Sequence, residues 1–127
     1  MKKLTTWSII FLILLGIVLL YAYRYAISSP YRVEPEEVKK RIASGDIDVI
    51  LDVRTNLERN NLGFYPGSLH MPSGELESKV DEAIPVKSTR IIVYCNTGQR
   101  ARAAVEKLRK LGYMDVAYIS GSYKSIM

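Results

Sequence analysis

The sequence predicts an α/β domain, a parallel sheet flanked by helices, preceded by one transmembrane helix. Three observations predict it. Short apolar runs, Val49-Ile50-Leu51 and Ile91-Ile92-Val93-Tyr94, alternate with stretches of helical periodicity, and strands that alternate with helices build parallel sheets. The run from Ile91 to Tyr94 has no polar alternation, as expected of a strand covered on both faces. The stretch from Leu4 to Tyr23 is uncharged and mostly Ile, Leu, Val and aromatic.

About 20 helical residues at roughly 1.5 Å each cross a hydrocarbon core of about 30 Å, so residues 4–23 suffice for a membrane span. Trp7 at one end and Tyr21, Tyr23 and Tyr25 at the other suit the two interfaces. A cleaved signal peptide is the alternative. The length of the run, and Arg24 where small residues are expected, favour a retained anchor; Ala26-Ile27-Ser28 is the one tolerable cleavage site and lies late. Lys2 and Lys3 favour a cytoplasmic N-terminus, whereas Arg24, Arg32 and Lys39-Lys40-Arg41 pull the other way. Charge counting therefore leaves orientation open.

Ser28-Ser29-Pro30 reads as a hinge, because proline disfavours helix at the residue before it. It divides an anchor with its flank, residues 1–28, from a domain, residues 29–127. Pro35 suits the first turn of a helix through Ile42-Ala43 that Gly45 ends. Asp48 to Val53 is predicted as a strand. Glu75 to Ala83 has helical spacing, with Leu76, Val80 and Ala83 on one face. Arg90 to Tyr94 is the next strand, and Ala101, Ala104, Val105, Leu108 and Leu111 form the buried stripe of the helix after it. Lys107, Arg109 and Lys110 complement the dipole at the end of that helix before Gly112 closes it. Val116 to Ile119 is the last strand.

At 127 residues the chain fits one small domain plus an anchor. The formal charge is +5, from 18 basic and 13 acidic residues. Setting aside Lys2, Lys3 and Arg24 leaves fifteen basic against thirteen acidic, a net of +2. That balance gives no electrostatic reason for nucleic-acid binding. One cysteine forms no internal disulfide, which is compatible with an oxidising compartment. His70, the sole histidine, has no cluster of metal-ligating types around it, so no metal and no cofactor are expected. Phe64 and Tyr65 fit a pocket mouth and surface packing equally well.

The chemistry is carried by Tyr94-Cys95-Asn96-Thr97-Gly98-Gln99-Arg100. A strand that ends in a tight turn before a helix leaves backbone N–H groups pointing into the turn. Those donors and the positive end of the helix favour an anion. A cysteine sulfur placed there is favoured as thiolate, the reactive form. Gly98 lets the loop turn its N–H groups inward, and Arg100 adds a permanent positive charge. Four residues separate Cys95 from Arg100, one fewer than in the Cys-x5-Arg loop of tyrosine phosphatases. The tighter loop suits a compact sulfur atom better than a tetrahedral phosphoryl group.

This segment resembles the active-site loop of rhodanese-type sulfurtransferases, and the resemblance runs from about Val33 to the C-terminus. Val49-Ile50-Leu51-Asp52-Val53-Arg54 looks like the family's strand ending in Asp-Val-Arg, with Glu58 in the usual acidic position. Pro66-Gly67-Ser68-Leu69-His70-Met71-Pro72 resembles its Pro-Gly-Ala segment. Ala103-Ala104, Leu108, Gly112-Tyr113 and Val116 match its loop helix and final strand. Phe64 stands where the family has a histidine, Gly121-Ser122 replaces a Gly-Gly pair, and the tryptophan-bearing last helix is missing. The short ending is similar to that of the periplasmic phage-shock rhodaneses, which implies an outward-facing domain; a cytoplasmic-facing domain is the alternative.

The resemblance implies a ping-pong sulfur transfer. The Cys95 thiolate takes sulfane sulfur from a donor such as thiosulfate. Asn96, Thr97, Gly98, Gln99 and Arg100 cradle the persulfide and the incoming dianion, and an external thiol or cyanide accepts the sulfur. Asp52 and Arg54 are expected to brace the loop. Two other classes compete: a non-catalytic docking or persulfide-sensing module, and a small phosphatase or arsenate reductase. The intact cysteine loop argues against the first, and loop length with the absence of a second cysteine against the other.

Overall fold

The computed structural model describes residues 3–127. A long apolar helix, α1 (Thr6–Ile27), leads into α2 (Pro35–Ala43), β1 (Val49–Asp52), α3 (Asn56–Leu62), β2 (Leu69–His70) and α4 (Leu76–Ala83). β3 (Ile91–Tyr94), α5 (Gln99–Lys110) and β4 (Val116–Tyr118) follow, and short 3₁₀ turns occupy Ser73–Glu75 and Tyr123–Ile126. The strands form one parallel sheet in the order β2-β1-β3-β4. The predicted sheet-and-helix architecture is thus what the chain adopts.

Strand alternation sorts the core into two layers. Leu51, Ile91, Val93, Val116 and Tyr118 pack on one face against Leu76 and Val80 of α4 and the stripe Ala101, Ala104, Val105 and Leu108 of α5. Ile92, Tyr94 and Ile119 face the other way, onto Val38 of α2 and Ile126. All four residues of β3 are buried, so the unbroken apolar run is the centre of both layers. Each such side chain contributes about 1.5–3 kcal/mol by leaving water, which fixes the strand that carries Cys95 more firmly than any other.

α5 ends in a paired cap. The Gly112 N–H donates to the Arg109 carbonyl and the Tyr113 N–H to the Leu108 carbonyl. Gly112 takes φ +100°, the left-handed conformation that this cap requires.

Two elements escaped the sequence reading. α3 exposes both of its leucines, Leu57 and Leu62, and so has no apolar stripe. A capping box holds it instead: the Thr55 hydroxyl accepts from the Glu58 N–H, and the Glu58 carboxylate accepts from the Thr55 N–H. β2 is a two-residue strand set beside β1 through Leu51 and Leu69.

The junction after α1 also differs from a free hinge. The helix stops at Ile27, ahead of Pro30, but Ala26 and Ser29 are buried. The Tyr118 hydroxyl donates to the Ala26 carbonyl, and Tyr25 donates to Glu106 at 2.6 Å. Arg102 stacks 3.6 Å from the Tyr25 ring centroid, and Arg109 stacks 4.4 Å from that of Tyr31. Ile17, Leu20, Tyr21, Arg24 and Tyr25 of α1 share a groove with Arg102 near the start of α5. Tyr25 also reaches Glu106 one turn further on, so α1 and α5 run side by side in the same direction. The apolar part of α1 projects beyond the start of α5, at the end of the sheet where Cys95 lies.

Candidate functional site

Cys95 follows the last residue of β3 and is buried. Its loop returns at Gly98, whose φ of +98° is left-handed. The Gly98 N–H donates to Cys95 Sγ at 3.1 Å, the inward-pointing donor that the strand–turn–helix pattern predicts. Gly98 also lies flat against the chain leaving β4: a Cβ there would sit 2.7 Å from Ser120 Cα. Conformation and space both demand glycine at this point.

The neighbouring strand end supplies a buried ionic frame. Asp52 is 0% and Arg54 1% exposed. Arg54 Nε and Nη2 donate to the Asp52 carboxylate at 2.9 and 2.8 Å, and the Arg54 N–H adds a third bond at 3.0 Å. Tyr94 O–H at 3.0 Å and Arg59 Nη1 at 3.1 Å complete the set around the same carboxylate. Arg54 also donates to the Gly63 carbonyl at 2.7 Å and to Asn96 Oδ1 at 3.3 Å. Through Asn96 the frame touches the cysteine loop itself.

Glu58 ties the other side of the loop. Arg100 grips its carboxylate with two nitrogens at 2.6 and 2.7 Å, and Asn96 Nδ2 donates to it at 2.7 Å. The Arg100 guanidinium, the permanent positive charge read from the loop, is therefore offset by a carboxylate. Sequence reasoning placed Glu58 only by resemblance, because a partner 42 residues away leaves no local signal. Arg59 was missed altogether: besides Asp52 it donates to Ser68 and stacks 3.9 Å from the Phe64 ring centroid.

The remaining positions are simpler. Thr97 and Gln99 are exposed. His70 donates from Nε2 to the Arg54 carbonyl at 2.7 Å, so it supports the strand end. Among the described residues no cluster of three His, Cys, Asp or Glu could hold a metal. Phe64 stays half-exposed on Arg59, while Tyr65 packs on the layer that contains Tyr94.

Hydrogen bonds set the carboxyl ionisations. The Arg100 bonds pull Glu58 from its ordinary 4.5 down to about 2. Burial pushes Asp52 up, but the Arg54 hydrogen bonds and charge outweigh it and hold the carboxyl below its usual value. Both folded values lie below the unfolded ones, so the stability they add is complete above about pH 5 and is lost as pH falls towards 2. Denaturant midpoints are expected to drop between about pH 5 and about pH 3, and Glu58→Gln should flatten part of that slope. A slope identical in wild type and variant would show that the Glu58 pair adds no pH-dependent stability.

Fold and site together define a parallel α/β domain organised around a cysteine loop at the carboxyl end of its central strand. The chain belongs to the rhodanese-like domain family, whose match covers residues 34–127. It is 30% identical over 108 residues to the mouse thiosulfate sulfurtransferase/rhodanese-like domain-containing protein 3, covering 76% of this chain and 68% of that one. It is 33% identical over 71 residues to the Escherichia coli thiosulfate sulfurtransferase PspE, covering 56% of this chain and 67% of that one. The solved human single-domain sulfurtransferase TSTD1 superposes with a TM-score of 0.65 at 28% identity, covering 76% of this chain and 95% of that one. The chain spans from a fifth to about two thirds of the first three curated relatives it matches.

Proposed function

We propose that the chain is a membrane-anchored sulfurtransferase, with residues 1–28 as anchor and flank and residues 29–127 as the catalytic domain. One observation carries the reading: Cys95 Sγ lies at the end of the central strand and accepts the Gly98 N–H at the start of α5, within a rhodanese-like domain. The Cys95 thiolate attacks the outer sulfur of thiosulfate. The new S–S bond leaves a persulfide on Cys95, and the broken S–S bond releases sulfite with its electron pair. Cyanide or a thiolate then attacks the terminal sulfur, and the Cys95 thiolate departs. Two negative charges enter with thiosulfate and leave with sulfite, so no oxidant or reductant is needed.

Backbone donors at Gly98 and along the first turn of α5 stabilise the anionic persulfide. Arg100 acts on the dianion through the outer edge of its guanidinium while Glu58 fixes its direction. Asn96, Thr97 and Gln99 complete the loop around the donor, and Asp52 and Arg54 hold its base. Support for the anchor comes from α1, which among the described residues is the one helix long and apolar enough to cross a membrane. We place the domain on the outward, periplasmic side, in keeping with the resemblance to the phage-shock rhodaneses.

Incubation of the full chain in detergent with thiosulfate is expected to leave one added sulfur on Cys95 by mass spectrometry, and cyanide should discharge it as thiocyanate. An aryl phosphate should release no phosphate. A folded chain that takes no sulfur from thiosulfate would sink the reading, and turnover of the aryl phosphate would put a phosphatase in its place.

A further inference from the structure

Where α1 passes α5 it leaves an open groove of about 480 Å³. Ile17, Leu20 and Tyr21 form its apolar wall, and Arg24, Tyr25 and Arg102 line the rest. The two arginines are unevenly held. Arg102 bonds through Nε to Glu106 at 2.9 Å and stacks on Tyr25, which leaves both Nη groups without an acceptor among the described residues. Every buried side-chain nitrogen in the described residues has a partner, so these Nη groups open onto the groove and solvent. Arg24 is exposed, and its side chain makes no hydrogen bond or ion pair among the described residues. Glu106, the carboxylate beside Arg102, is also engaged by the Tyr25 hydroxyl. Two guanidinium groups against one carboxylate leave the groove net positive.

Guanidinium groups take oxyanions through paired N–H donors, and arginine is the residue suited to phosphate. The apolar wall gives this oxyanion site a second requirement. Ile17 and Leu20 belong to the uncharged part of α1, and Arg24 and Tyr25 follow where that part ends. A ligand that fills the groove therefore pairs an anionic group with a hydrocarbon tail that continues along α1. We propose that the groove binds an anionic phospholipid, its phosphate between Arg24 and Arg102 and an acyl chain along Ile17 and Leu20. The proposal rests on the reading of α1 as a membrane span. A free phosphate would leave the wall unused, and a zwitterionic lipid would bring its own cation to the arginines.

The test uses the full chain in a neutral detergent, titrated with phosphatidylglycerol, phosphatidylcholine or inorganic phosphate and read by native mass spectrometry. Retention of phosphatidylglycerol over phosphatidylcholine is expected, with each arginine worth about fivefold in that preference. Arg24→Gln should lose its fivefold and Arg24→Lys should keep most of it. Arg24→Gln decides the matter, because this side chain holds nothing else in place, whereas Arg102→Gln also loosens Tyr25. Equal retention of the two lipids, or an unchanged preference in Arg24→Gln, would overturn the proposal. Displacement of the lipid by equimolar inorganic phosphate would also overturn it, in favour of a free-anion site. Alkaline carbonate extraction of membranes separates the two levels: a chain washed into the supernatant refutes the anchor, whereas a retained chain without lipid preference refutes the groove alone.

Discussion

Cys95→Ser is expected to fold and to lose sulfur transfer down to background. A serine hydroxyl stays protonated at neutral pH, and an oxygen nucleophile forms no persulfide. No other cysteine exists in the chain to substitute. Removal of a covalent nucleophile costs at least about a thousandfold in rate. Stability should change little, because the hydroxyl can still accept the Gly98 N–H that Cys95 Sγ accepts at 3.1 Å; about 1 kcal/mol is the scale for such an exchange. Thiocyanate production beside the wild type, together with the urea midpoint, checks both halves. Retained transfer in a folded variant would remove Cys95 from the mechanism.

Asp52→Ala should cost about 3–5 kcal/mol, the range for breaking a buried ion pair from one side. The carboxylate accepts from Arg54, Arg59 and Tyr94. Without it the Arg54 guanidinium, 1% exposed, keeps two hydrogen bonds, to the Gly63 carbonyl and Asn96, beside its stacking on Tyr94 and Tyr123. Against a typical domain stability of about 5–15 kcal/mol the loss is large. Because Asn96 belongs to the cysteine loop, transfer should fall in the folded fraction as well. Urea midpoints with a specific activity corrected for folded protein will check this. A shift below about 0.5 kcal/mol would mean that the frame adds little to the fold.

The sheet was legible because burial writes itself into sequence. β3 is covered on both faces, and α5 carries one apolar stripe, so each leaves a periodic or unbroken pattern. The cysteine loop was legible for a second reason: its residues are contiguous, and the turn needs a glycine. What sequence could not supply were partnerships across distance. Glu58 meets Arg100, and Tyr94 meets Asp52, each 42 residues apart, and neither pairing imposes a period. α3 was hidden because it buries no leucine and depends on its cap. The proline before the domain was read as a hinge because local chemistry shows where a helix stops. It does not show that Tyr118 and Glu106 will hold the end of that helix.

The shared direction of α1 and α5 bears on which molecules meet Cys95. With α1 in a bilayer, the sheet end that carries the cysteine faces the lipid surface rather than open solution. Where that leaflet is anionic, a dianion such as thiosulfate is thinned at the surface more steeply than a monoanion, because the depletion grows exponentially with charge. A neutral thiol is not depleted, and one with an apolar body is concentrated there. On the proposed anchoring, the loop would sample the composition of the interface rather than that of the bulk phase. Its demand for the proposed charged donor would then follow membrane charge and salt, while uncharged, lipid-soluble sulfur carriers would reach it undiminished.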